Sequence, residues 1–222
     1  MNLYDFKDKH KNERCFIACN GPSLNDIPME KLQGETVFGL NRGYLKEGLP
    51  ITYLVVLVSR VAKQWEKEIL KVPCKVIFTN HLSHPKVCGF PIGNDKFSTD
   101  LYREPLKSGH TVTMIALQIA YGMGFDKVYM IGLDHSFSYE NTVRDNSHHR
   151  AVISTGDDPN HFDPSYFGEG ANWLPYSPKM VEKNYKLASE AYRNDGRLLL
   201  NVSTKTKLSP KIIFRGSFEN II

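Results

Sequence analysis

TVTMIALQIAYGMGFDKVYMIGLDH, residues 111–135, is the stretch whose reading decides the fold. From Thr111 to Met123 the residues are almost continuously apolar, with no polar stripe, which predicts a helix buried on most of its faces. Four residues later Val128 to Ile131 forms a second apolar run, short enough for a strand and closed by Gly132 and Asp134. A strand that is apolar throughout, fed by a buried helix, belongs to a parallel sheet covered on both sides.

Working outward, similar runs recur at Cys15 to Cys19, Thr36 to Leu40, Tyr53 to Val58 and Lys75 to Thr79, each closed by Gly, Asn, Ser or Asp. A helix is expected at about Val61 to Leu70. Another begins near Pro178, with Ser177 as its N-cap, and ends around Asn194-Asp195-Gly196, before a last strand at Leu198 to Val202. The alternation predicts a single α/β domain over residues 1–222, Rossmann-like, with a mostly parallel doubly wound sheet. Between them, residues 135–176 show little periodicity and many polar and aromatic residues, which suggests an irregular, lid-like loop.

In such sheets ligands gather at the carboxyl ends of the strands, so the residues after each run come first. After the first strand stand Asn20, Gly21, Pro22 and Ser23: Gly21 lets backbone approach a ligand, and the Ser23 hydroxyl can bond a phosphate. The same four residues also suit an ordinary turn. Asn41 and Arg42 follow the second strand, where an amide and a guanidinium can read a base, ribose or phosphate, and Ser59 with Arg60 ends the third in a weaker version. Ser108 and Gly109 lead into the buried helix, whose first N–H groups favour an anion, although Ser108 also fits an N-cap. Gly132, Asp134 and His135 follow the Val128 to Ile131 strand, with Asp134 suited either to ribose hydroxyls or to capping a turn.

The segment NHFDPSYFGEG, residues 160–170, gathers His161, Asp163, Tyr166 and Glu169. Histidine is the natural proton-transfer group near neutral pH, and Tyr166 or Tyr139 can hydrogen-bond a departing phosphate. His148, His149, His161 and Asp163 lack recognised ligand spacing, so no metal site is assigned.

Composition narrows the class. With 28 basic and 24 acidic residues the net charge is +4, suited to a small anionic ligand, and no interleaved basic and aromatic stripe points to nucleic acid. Cys15, Cys19, Cys74 and Cys88 form no C-x-x-C pair and read as reduced, buried thiols. No apolar stretch reaches the length needed to span a bilayer. The N-terminus MNLYDFKDKHKNER lacks the apolar core of a signal peptide, so the expected location is cytoplasmic.

Taken together, N-G-P-S-L, K-S-G-H-T, K-V-Y-M-I-G-L-D and N-H-F-D-P-S-Y-F-G resemble the MptE-like family, named for a 6-hydroxymethylpterin diphosphokinase. More distantly they resemble the bacterial sialyltransferases of glycosyltransferase family 42. The resemblance runs from about Cys15 to Phe214 and implies a sialyltransferase-like variant of the GT-A fold with a CMP-sugar over the strand ends. On it Asn20, Gly21, Pro22 and Ser23 would hold the phosphate and ribose side, with Asn41 and Arg42 beside the nucleotide. Ser108 and Gly109 would approach the sugar-phosphate, and Gly132 and Asp134 the ribose or base.

Where those sialyltransferases carry a tyrosine two places after the aspartate, this chain has Ser136, so Tyr139 or Tyr166 would substitute. The implied reaction is transfer from a nucleotide-activated sugar to a glycan or glycolipid acceptor in surface-polysaccharide synthesis, peripheral to a membrane and without a required cofactor. His161 is the preferred base and Glu169 the second. The alternative that the family name suggests is an ATP diphosphokinase, which would need Mg²⁺ held by Asp134, Asp157, Asp158 or Asp163. A nucleotide-binding module without catalysis is the third reading, supported by Ser136.

Overall fold

A computed structural model describes residues 1–222 except 94, 102, 147–150 and 176. Among the described residues, eight parallel strands form one sheet: β1 (Arg14–Ala18), β2 (Val37–Leu40), β3 (Tyr53–Val55), β4 (Val76–Phe78), β5 (Val87–Cys88), β6 (Lys127–Ile131), β10 (Leu198–Asn201) and β11 (Phe214–Arg215). Three short antiparallel strands, β7 (Thr142–Arg144), β8 (Val152–Ser154) and β9 (Asn172–Trp173), make a separate small sheet. The helices are α1 (Ser59–Gln64), α2 (Glu66–Lys71), α3 (Val112–Gly122) and α4 (Pro178–Asn194).

The order in the large sheet is β11-β10-β6-β1-β2-β3-β4-β5. The chain therefore builds outward from β1 to β5, returns to the other flank of β1 with β6, and continues outward to β11. Connections leave β1 and β6 in opposite directions, so a crevice opens where these neighbours end. Their pairing runs in register from Arg14 beside Lys127 to Ala18 beside Ile131. It continues past the strands, with Cys19 N–H donating to Ile131 O at 2.8 Å and Gly21 N–H to Gly132 O at 2.9 Å.

Alternate strand residues face opposite layers, which is why these strands are apolar throughout. Cys15, Ile17, Val128 and Met130 pack beneath α3 and α4, whereas Phe16, Ala18, Tyr129 and Ile131 pack with Leu24, Ile27 and Leu32 on the other face. Helix α3 is buried on all sides from Thr113 to Tyr121, as TVTMIALQIAYGM predicts. At ~1.5–3 kcal/mol for each large apolar side chain fully buried, this helix anchors the sheet.

Several expectations need correction. The helix expected over Val61 to Leu70 is two short ones that break at Trp65. Strands β5 and β11 were not anticipated, because two-residue pairings carry no periodicity. Residues 135–176 are not irregular throughout, since β7, β8 and β9 lie inside them. Helix α4 starts and ends as expected, but the Ser177 side chain makes no capping bond. Among the described residues no helix is long and apolar enough to cross a membrane.

Candidate functional site

A cavity of about 1280 Å³ opens over the ends of β1, β2 and β6. Asn20 and Gly21 contribute from the first strand end, Asn41 from the second, Ser59 from the start of α1, and Gly132, Asp134 and His135 from the end of β6. The N-terminus of α3 adds His110 and Thr111, and all three strands of the small sheet add wall residues. Loop residues His161, Tyr166 and Phe167 complete the floor.

The turn from β1 is possible because residue 21 has no side chain. A Cβ there would lie 2.7 Å from Gly132 O and 2.8 Å from the Asp134 carboxyl carbon. Gly132 itself has φ +65, and its Cβ would collide with Cys19 O. The two turns thus interlock, bringing Asp134 over Ser23. Both carboxylate oxygens are engaged: Ser23 N–H donates to one at 2.8 Å, and the Ser23 hydroxyl donates to the other. Burial holds the Asp134 carboxyl above its usual range, against the lowering effect of the Ser23 bonds. Asp134 lines the cavity, but Ser23 is buried beneath it and Pro22 starts a 3-10 turn outside the lining. The expected Ser23–phosphate contact is therefore replaced by a bond within the protein.

Arg42 also turns inward. One guanidinium nitrogen donates to Ser165 O at 3.0 Å and to Tyr166 O, and the guanidinium lies 4.0 Å from the Trp65 ring centroid. It ties the 158–167 loop to the end of β2 and does not line the large cavity. Asn20 makes a parallel tie, its amide donating to Leu40 O at 3.0 Å and to the Tyr166 hydroxyl at 2.9 Å. Asn41, at φ +48, accepts from Leu57 N–H at 3.2 Å.

Tyr166 is buried and its hydroxyl already accepts from Asn20 and from Arg42 N–H, with burial pushing its pKa well up. It supports the floor. Among the described residues Tyr139, exposed at the cavity margin, is the lining tyrosine open to a ligand.

The α3 terminus differs in detail from expectation. Thr111 is the N-cap and accepts from Thr113 N–H at 3.3 Å, so Ser108 is not the cap. Ser108 and Gly109 lie outside the cavity lining, and Gly109 packs against Met114 and accepts from the Asn184 amide at 3.1 Å. His110 and Thr111, and not Ser108 and Gly109, line the cavity at this helix start. His135 lines the cavity with its ring bound to Glu182 at 3.0 Å, joining β6 to α4.

The two candidate bases are separated. His161 lines the large cavity, its Nδ1 2.7 Å from the Asp158 carboxylate and its ring stacked on Tyr166 at 3.9 Å, 3° from parallel. Glu169 is exposed and lines a shallow pocket of about 320 Å³ with Arg42 and Trp65. Asp134 and Asp158 are each committed to other groups, and among the described residues no three His, Cys, Asp or Glu side chains gather as a metal would need. His148 and His149 lie outside the described residues.

Sequence reasoning missed part of the lining. Arg144 and Trp173 come from the small sheet, and Phe167 stacks on Trp173 at 5.7 Å with Phe137 edge-on at 5.4 Å. The density of aromatics in 137–173 was the available signal. Among the described lining residues the lasting charges are Arg60, Arg144 and Asp134, so cations outnumber the carboxylate. Aromatic faces beside guanidinium groups suit an anionic ligand with a flat ring.

Fold and site thus define an α/β domain of the Rossmann-like class, with a ligand-sized cavity at the switch point of its parallel sheet. No family model, curated protein or solved structure matches the chain.

Proposed function

We propose that this chain is a glycosyltransferase of the sialyltransferase-like GT-A kind, transferring a sugar from a CMP-sugar to a hydroxyl of a glycan or glycolipid acceptor. The observation that carries the reading is that His161, paired with Asp158, shares one cavity with the Gly21 and Gly132 turns at the switch point. The nucleotide is placed at these turns because they close the carboxyl ends of adjacent parallel strands, and aromatic walls accept a flat base.

In the reaction His161 Nε2 takes the acceptor hydroxyl proton as that oxygen bonds the anomeric carbon. The bond from that carbon to the phosphate oxygen breaks, and CMP leaves with the electron pair. The N-terminus of α3 at Thr111, Arg60, Arg144 and the Tyr139 hydroxyl are the donors available to the departing phosphate. Of the groups the sequence offered for this role, the helix terminus and Tyr139 remain, while Arg60 and Arg144 stand in for Ser108 and Tyr166. The separate Asp134 and Asp158 commitments favour this reading over an ATP diphosphokinase, whose Mg²⁺ would need carboxylates that act together.

A thermal-shift titration with CMP, CDP, UDP, GDP and ATP, each with and without Mg²⁺, tests it, because selective binding to the folded state raises the melting temperature. A rise with CMP that does not depend on metal is expected. A rise with ATP only in the presence of Mg²⁺ would replace the proposal with the diphosphokinase.

A further inference from the structure

The loop from Asp158 to Phe167 is built around one carboxylate. Asp158 has a side chain only 3 % exposed and accepts from three groups: Asn160 N–H at 2.8 Å, Phe167 N–H at 3.1 Å, and His161 Nδ1 at 2.7 Å. Its own N–H donates to Pro164 O at 2.8 Å, closing the loop on itself. Two backbone N–H groups already donate to this carboxylate, so its place in the 2.7 Å contact is that of an acceptor, the geometry of an imidazole that carries its hydrogen on Nδ1.

The ring is held on its faces as well. Tyr166 stacks beneath it, and Phe167 meets it edge-on at 5.3 Å. Tyr166 is fixed by Asn20 and Arg42, and Phe162 N–H donates to Asn20 O at 2.9 Å, so the loop is fastened to the ends of β1 and β2. Among the described residues Nε2 has no hydrogen-bond partner. The neighbouring Asp157 is exposed, with its backbone carbonyl bound to the Asn141 amide, and takes no part in this arrangement.

We propose that Asp158 is a positioning residue: it fixes His161 in the tautomer protonated at Nδ1 and holds the ring so that the Nε2 lone pair serves the cavity. This rests on the reading of His161 as the base, and it identifies a residue that sequence reasoning had considered only as a magnesium ligand. A base held by a buried carboxylate loses its function when the carboxylate becomes an amide, because the wrong tautomer is then stabilised.

The test is long-range ¹H–¹⁵N NMR of the full chain with labelled histidine, at a pH where the imidazole is neutral. In the unaltered protein the His161 signals are expected to show a protonated Nδ1 and a pyridine-type Nε2. Asp158→Asn should shift the population toward the Nε2-protonated form, and Asp157→Asn should leave it unchanged. A proton on Nε2 in the unaltered protein overturns the proposal without any variant having to fold, and an unchanged tautomer in folded Asp158→Asn does so too. In the transfer assay Asp158→Asn should lower kcat by ~100-fold or more while KM stays within about threefold. If the chain proves to transfer no sugar, the NMR result still decides the role of Asp158, so the two failures are distinguishable.

Discussion

Gly21 and Gly132 face each other across the switch point: Gly21 N–H donates to Gly132 O at 2.9 Å, and a Cβ on Gly21 would stand 2.7 Å from that same oxygen. The hydrogen bond extends the β1–β6 ladder beyond both strands, and the missing side chain permits it. Gly21 has φ −68, an ordinary value, so its requirement is steric and not conformational.

Gly21→Ala should therefore destabilise the fold by ~1–3 kcal/mol, the usual cost of overpacking a tight site. Urea denaturation measures the loss. Because the added methyl also displaces Asp134, the CMP-induced rise in melting temperature should shrink with it, and an alanine variant of unchanged stability would show that the two turns can separate freely.

Asp134 supplies a pH signature. Burial raises its pKa above the ordinary 3.8 in the folded protein. Between 3.8 and that raised value the folded chain holds more of the proton than the unfolded chain, so stability falls as pH rises through this window. Denaturation series on the protein and on Asp134→Asn should show the stability of the unaltered protein, relative to the variant, decreasing with pH from 3.8 upward. An increase would mean that the Ser23 bonds outweigh burial.

Arg42 ties the 158–167 loop to the end of β2. Arg42→Ala removes two charged hydrogen bonds to backbone carbonyls and the stack on Trp65, and should cost ~2–3 kcal/mol by thermal or urea melts. Lysine should not restore it, since an ammonium can donate to both carbonyls but has no planar face to lie on the Trp65 indole. Full stability of Arg42→Lys would argue that charge alone holds the loop.

The separation of His161 from Glu169 gives a kinetic contrast. His161→Ala should lower turnover by ~100-fold or more, while Glu169→Ala, altered outside the large cavity, should change it by less than about threefold. The reverse pattern would transfer the base assignment to Glu169.

The small sheet forms a wall of the cavity from the segment expected to be a lid. Nucleotide binding should slow amide hydrogen exchange in residues 142–144, 152–154 and 172–173. Exchange unchanged at saturation would make this sheet a fixed wall.

Much of the parallel sheet was legible because its strands are buried on both faces, so apolar runs such as Cys15 to Cys19 and Val128 to Ile131 announce themselves without partners. The unbroken apolar run of α3 and the Pro178 start of α4 were equally local. Those runs, with the rule that ligands collect at strand ends, were enough to locate Asn20, Gly21, Asn41, Gly132 and Asp134 around one crevice.

Which side chains look into that crevice was decided only in three dimensions. Ser23 and Arg42 have the chemistry of phosphate ligands, yet Ser23 bonds Asp134 and one Arg42 nitrogen bonds two loop carbonyls. Asp158 and His161 are close in sequence, but nothing in their spacing distinguishes Asp158 from Asp157 or Asp163. The sequence alone determined a buried parallel sheet, because burial on both faces is written into each strand residue by residue. The tertiary structure decided the polar partnerships, because a hydrogen bond depends on where two distant groups meet, and a buried donor takes the acceptor that the packing brings within reach.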